Sequence, residues 1–135
     1  MTAIAGEGPV VTRLGSGGPW EARYGYCRVV RAGSLAITAG CTSTVDGRVV
    51  HVGDPAAQTV QALRIGLDAL AEVGAGPGDV VRTRMYVTDR SHADEVGRAH
   101  NAVFGAVRPV ATMVVVAGLI DPEHLVEVEL EAWLG

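Results

Sequence analysis

An α+β fold, with two helices on one face of a β-sheet, is predicted from three features of this 135-residue chain. Strand-like and helix-like stretches follow one another as strand, strand, short strand, helix, strand, helix, strand, strand. Each helical stretch carries one apolar stripe at 3.6-residue spacing and so has one side to bury. In the last strand-like stretch, Glu127, Glu129 and Glu131 fall on one face and Val126, Val128, Leu130 and Ala132 on the other, because strand side chains alternate. Two helices can cover only one face of such a sheet. Three carboxylates on one strand face need water, cations or a partner surface.

In chain order, residues 1–23 are rich in glycine and proline, so a flexible lead-in is expected there, with a short strand at Val10 to Leu14. Tyr24 to Arg31 and Leu35 to Thr42 read as antiparallel strands turning at Ala32-Gly33. Gly40 near the end of the second suggests close approach by another backbone or a ligand. Asp46-Gly47 marks a hairpin turn before Arg48-Val49-Val50.

Asp54-Pro55 opens a helix, with a capping carboxylate and proline at the first helical position. Val60, Leu63, Leu67 and Leu70 form its buried stripe, and Gly74 to Gly78 ends it. Val80 to Thr88 alternates as a strand, with Val81, Thr83, Met85 and Val87 on one face and Arg82, Arg84 and Tyr86 on the other. Ser91 is expected to cap a second helix whose inner side holds Val96, Ala99, Val103 and Phe104. Gly97 inside that helix costs roughly 1 kcal/mol relative to alanine and reads as making room for something packed there.

The last two strands, beginning at Arg108-Pro109 and at Leu125, are expected to form a hairpin through the Pro-containing connection Leu119 to His124. If the strand at Val80 lies beside the C-terminal one in matching phase, Arg82, Arg84 and Tyr86 share a face with Glu127, Glu129 and Glu131. Opposite charges on neighbouring strands would stabilise that face. A face so polar, yet threaded with apolar residues, suits a wet subunit interface.

Length and a 48% apolar composition fit one globular domain spanning residues 1–135. No secretory signal pattern is visible, and no apolar run approaches the ~20 residues needed to span a bilayer, so a cytoplasmic protein without membrane partners is expected. A net charge of −4 argues against nucleic acid, whose phosphates reward basic patches. Cys27 and Cys41 are too few for a disulfide framework. The expected register also keeps them apart, since even diagonal neighbours sit roughly 7–8 Å from each other. His51, His92 and His124 lack ligand spacing, and Gly74-Ala75-Gly76-Pro77-Gly78 precedes a strand with no Lys-Ser/Thr after it, unlike a phosphate loop. Neither a metal nor a cofactor is expected.

Arg108-Pro109-x-x-Thr112, the valine run after it, Gly118-Leu119 and Leu125-Val126-Glu127-Val128-Glu129 resemble the C-terminal signature of the RidA/YjgF (Rid) family. The likeness runs from about Tyr26 to Ala132. It implies a chorismate-mutase-like fold with a mixed sheet, a homotrimer joined through the open sheet faces, and small-molecule clefts between subunits. The family includes enamine and imine deaminases. It also implies a set of cleft residues: Tyr26, the Gly40 backbone, and Glu127 as the residue that positions a hydrolytic water.

This chain departs from the family pattern at several of those positions. Cys41 stands where many members have glutamine, Gly97 where they have asparagine, and Met113 where they have cysteine. Ala111 replaces the arginine that binds the substrate carboxylate. A guanidinium fork holds a carboxylate through two charge-assisted hydrogen bonds, and an alanine methyl offers only apolar contact. An imine, enamine or related electrophile without an amino-acid carboxylate is the implied substrate, unless Arg108 or Arg84 substitutes.

Each signal also has a plainer reading. Glu127 could belong to an Arg–Glu interface lattice, Tyr26 could be a half-buried strand aromatic, and Arg108 could form a surface or inter-subunit salt bridge. Cys41 could be a buried inert thiol rather than a nucleophile. His100, one turn after Gly97, could be a packed histidine rather than an acid or base. Two other functions stay open: a non-catalytic metabolite-binding trimer, and a specialised biosynthetic enzyme using Cys41 or His100.

Overall fold

The computed structural model describes residues 10–135. Its elements run β1 (Val11–Leu14), α1 (Pro19–Tyr24), β2 (Val29–Ala32), β3 (Leu35–Thr38), β4 (Thr44–Val45), β5 (Arg48–Val49), α2 (Pro55–Glu72), β6 (Val80–Val87), α3 (Ala93–Phe104), β7 (Val110–Val115) and β8 (Val126–Trp133). Six strands form one sheet in the order β1-β2-β3-β8-β6-β7, and β4-β5 form a separate ribbon. Only β6 and β7 pair in parallel; the other neighbours are antiparallel. The mixed sheet with two main helices on one side is the expected α+β, chorismate-mutase-like architecture.

The core lies between the helices and one sheet face. Val126, Val128, Leu130 and Ala132 of β8 are buried there with Ala36 of β3, Val80, Met85 and Val87 of β6, Leu63 and Leu70 of α2, and Val96 and Phe104 of α3. Asp54 caps α2 by accepting a hydrogen bond from the Ala57 amide at 3.0 Å. The buried stripe of α2 is smaller than the expected leucine row. Thr59, Ala62, Gly66 and Ala69 are buried, and Leu67 only packs at the margin. A methyl on Gly66 would come within 2.8 Å of the Leu130 side chain, so α2 lies close against β8. The β4-β5 ribbon turns at Asp46-Gly47 with φ of 51° and 76°, the doubly left-handed turn that suits a two-residue hairpin.

Several local expectations are corrected. The first nine residues of the expected lead-in lie outside the described ones; the short strand expected next is present as β1, paired with β2, but Pro19–Tyr24 is a helix rather than part of a lead-in and first strand. The last two strands are not a hairpin, because β6 lies between them and pairs with both. A bulge between Val80 and Arg82 puts Val80 in the core and leaves Val81 exposed. Ser91 does not cap α3. It sits in a 3-10 turn at Arg90–His92, where its amide and hydroxyl both donate to Asp89 Oδ1. Nothing lies within 4 Å of where a Gly97 side chain would begin, so no packing within the protomer requires glycine there.

Candidate functional site

The open sheet face is built by register. Arg82 pairs with Glu131, Arg84 with Glu129 and Tyr86 with Glu127, as matching phase requires. Arg84 Nη1 lies 3.0 Å from Glu131 Oε1 and 3.6 Å from Glu129 Oε1, and Arg82 Nε is 3.7 Å from Glu131 Oε2. The Tyr86 hydroxyl donates to Glu129 at 2.5 Å, a bond that raises the phenol's pKa, with smaller contributions from burial and the carboxylate's charge. Two of the three β8 carboxylates are thus engaged.

Glu127 is the exception. Its carboxylate makes no hydrogen bond or ion pair among the described residues. Burial pushes its pKa above the ordinary carboxylate range, and the Arg28 charge opposes that shift in part. The carboxylate is seated on the Gly40 backbone. A methyl built on Gly40 would lie 2.8 Å from Glu127 Cδ, closer than real side-chain contacts allow. The close approach expected at Gly40 is therefore made by an acid. Gly40 is not among the positive-φ residues, so what the position demands is space.

Tyr26 stands beside this seat and is 42% exposed. The Arg28 guanidinium lies 5.9 Å from its ring centre and donates to the Gly40 carbonyl at 2.5 Å. Arg28 was not singled out from the sequence. It reads there as one more strand residue, and its place depends on Gly40, twelve positions away. Of the two cations that could stand in for an anchor at Ala111, Arg84 is engaged by Glu129 and Glu131, while the Arg108 side chain forms no ion pair among the described residues. Arg108 itself is exposed, at φ 59°.

Of the other residues picked out from the sequence, Cys41 adjoins this seat, with Arg28 Nη1 3.7 Å from its sulfur, and the rest fall elsewhere. Cys41 is 1% exposed, and its thiol donates to the Ala39 carbonyl at 3.3 Å. Burial raises its pKa despite Arg28, so at neutral pH it is a thiol and not a thiolate. His100 shares a 2.8 Å hydrogen bond with Thr83 and packs on Phe104, on the helix-covered side of the sheet; burial lowers its pKa. Ala111 pairs with Thr83 and Met113 with Met85 on edge strand β7, where Ala111 is exposed and Met113 half-buried. One protomer therefore brings Gly40 and Glu127 into contact, with Tyr26 linked to them through Arg28. It leaves Ala111, Met113, Gly97 and His100 on the edge strand and helix side. Cys27 and Cys41 are free, and no cluster of metal-ligating side chains occurs among the described residues. No helix among those residues is long and apolar enough to cross a membrane.

A mixed sheet with an acid-and-arginine open face, and a lone glutamate seated on a strand-end glycine, defines a Rid-type protein. The family model described as Endoribonuclease L-PSP matches residues 19–134, and the chain belongs to this YjgF/RidA family. It is 44% identical over 125 residues to an uncharacterized protein of Streptomyces coelicolor, covering 93% of each. Among solved structures it is similar to Rv2704 of Mycobacterium tuberculosis, a member of the YjgF/YER057c/UK114 family. That match has 47% identity, a TM-score of 0.83, and covers 92% of this chain and 99% of that one. It is also similar to the YjgF gene product of E. coli, with 28% identity, a TM-score of 0.75, and coverage of 90% and 92%.

Proposed function

We propose that this chain is a hydrolase-like deaminase of the Rid type, acting on a small imine, enamine or related electrophile in clefts between the subunits of a homotrimer. The observation that carries this reading is the unpaired Glu127 carboxylate, held by Gly40 with its charge unspent while Glu129 and Glu131 are neutralised. A carboxylate so placed can accept a proton from water as the water attacks the C=N carbon. Tyr26 offers a ring face for the substrate, and the Gly40 backbone positions it. A neighbouring protomer's edge strand supplies the other wall, where Ala111 offers only a methyl. The substrate therefore lacks the free carboxylate of an amino-acid imine.

Nuclease action, which the family's description names, is not adopted. A net charge of −4 and a row of carboxylates repel a phosphate backbone. Nor do Cys41 and His100 support a separate chemistry, since one is a buried protonated thiol and the other is bonded to Thr83 on the helix side.

The test is hydrolysis of an amine-derived imine by wild type and Glu127→Ala. Loss of at least about 100-fold is expected for removal of a general base, and equal rates would remove the idea. A variant that only weakens oligomerisation while no turnover exists in either protein would favour a metabolite binder. Because the folded pKa of Glu127 is raised, the ionised base appears only above the ordinary carboxylate range, so the acid limb of kcat/KM should lie there. The same sign means that folding favours the neutral acid. That stability is present below the unfolded pKa and lost as pH rises through the folded one, so Glu127→Gln should raise Tm at neutral pH. Sedimentation velocity of the wild type should give three times the protomer mass, and a lone protomer at micromolar concentration would sink the cleft model.

A further inference from the structure

The segment ahead of β2 contributes more to the Glu127 seat than its composition suggests. Glu21 of α1 is 7% exposed, a burial rare for a carboxylate without partners. Its Oε1 accepts from the Ser16 amide at 2.9 Å, and its Oε2 accepts from the Ser16 hydroxyl. Oε2 also lies 3.8 Å from Arg28 Nη2. Its backbone carbonyl accepts from the amides of both Gly25 and Tyr26, at 2.9 and 3.1 Å. Glu21 therefore fixes where the chain leaves α1 toward Tyr26. At the far end of the same guanidinium, Nη1 holds the Gly40 carbonyl, and Gly40 is the backbone on which Glu127 rests.

We infer that Glu21 and Arg28 are a positioning pair for Glu127: the buried acid fixes the guanidinium, which clamps the Gly40 backbone on which the Glu127 carboxylate rests. This rests on the reading of Glu127 as the base and adds two residues to it. Among the described residues, the charged and titratable groups around Glu127 are Arg28 ahead of β2 with Tyr26 beside it, Cys41 after β3, Tyr86 on β6 and Glu129 on its own strand. Of these only Arg28 is positive. Glu129 is already engaged by Arg84 and Tyr86, and Cys41 and Tyr86 are neutral at physiological pH. Among these groups Arg28 is the one that favours the ionised state of Glu127, against the larger effect of burial. Arg28 in turn is partly neutralised by Glu21, so the acid on α1 sets how much of the cation's field reaches the base.

The two residues should act in opposite directions, which a merely structural role would not produce. The side-chain carboxyl of Glu127 is titrated by 13C NMR in the full-length wild type, Arg28→Gln and Glu21→Gln. Loss of the cation should move the Glu127 midpoint upward, and loss of the acid that partly neutralises that cation should move it downward, each by about half a pH unit, the order expected for one partly screened charge. Arg28→Lys, which keeps the charge, should stay near wild type. Shifts in the same direction, or no shift, would overturn the pair. Should Arg28→Gln fail to fold, Glu21→Gln decides alone: a downward shift supports the pair and any other result overturns it. The readout needs no turnover. Opposite shifts in a protein that hydrolyses no imine would leave the pair standing and remove the deaminase reading, whereas turnover lost in Glu127→Ala with parallel shifts would do the reverse.

Discussion

Gly40→Ala should lower stability by about 2 kcal/mol, within the range for forcing one extra methyl into a packed site, and cut imine hydrolysis by at least about 100-fold. The methyl would collide with the Glu127 carboxylate, 2.8 Å from Cδ. Either the acid swings away or the strand end shifts and loosens the Arg28 bond to the Gly40 carbonyl. A displacement near 1 Å is enough for a 100-fold loss when a reacting group must be oriented. The double variant Gly40→Ala/Glu127→Ala separates the two effects. With the acid gone the methyl has room, so stability should return toward wild type while turnover stays lost. Denaturant unfolding and single-substrate kinetics on the three variants check this, and a stable, active Gly40→Ala would show that the seat is not required.

The second large effect is a gain. Ala111→Arg should raise kcat/KM for an imine bearing an amino-acid carboxylate by roughly 10- to 100-fold, while leaving a carboxylate-free imine within about 2-fold. Charge-assisted hydrogen bonds of this kind contribute about 1.5–3 kcal/mol. Ala111 is exposed on edge strand β7, so a longer side chain meets no packed core. The informative quantity is the ratio of the two kcat/KM values in wild type and variant. An unchanged ratio would mean that position 111 does not select substrates, and that Arg108 or another cation already supplies the anchor.

The parts of this architecture legible in the sequence are those coded by short-range periodicity. Strict alternation along Arg82–Tyr86 and Glu127–Glu131 was enough to place six side chains on one face, and the register agrees pair by pair. Asp46-Gly47 and Asp54-Pro55 announced a turn and a helix start through their own backbone preferences. The failures involve non-local pairing or very short elements. Nothing in the composition of β7 distinguishes a parallel partner of β6 from an antiparallel partner of β8. The α1 segment, Pro19–Tyr24, is too short to display an apolar stripe and is flanked by glycines. The bulge at Val81 shifts phase by one residue, which alternation alone cannot reveal.

The candidate site divides in the same way. Glu127, Tyr26 and Gly40 came from the family resemblance; Glu127 rests on Gly40, a position also marked by its chemistry as a place of close approach, and Tyr26 connects to them only through Arg28. Arg28 and Glu21 were not legible, because each matters only through a partner that folding delivers: Glu21 through Arg28, and Arg28 through Gly40.

Among the described residues strand β7 ends the sheet with one hydrogen-bonding edge unmatched, and Val110, Val114 and Val115 are 60%, 42% and 51% exposed. Solitary edges are ordinarily blunted by lysine, proline or short length; here the strand is six residues long with neither, and all eleven cations of the chain are arginines. An isolated subunit would offer a sticky template for strand addition by any similar chain. The proposed trimer would then also guard this protein against fibre-like self-association, and substitutions that break it should produce turbid aggregates rather than soluble monomers.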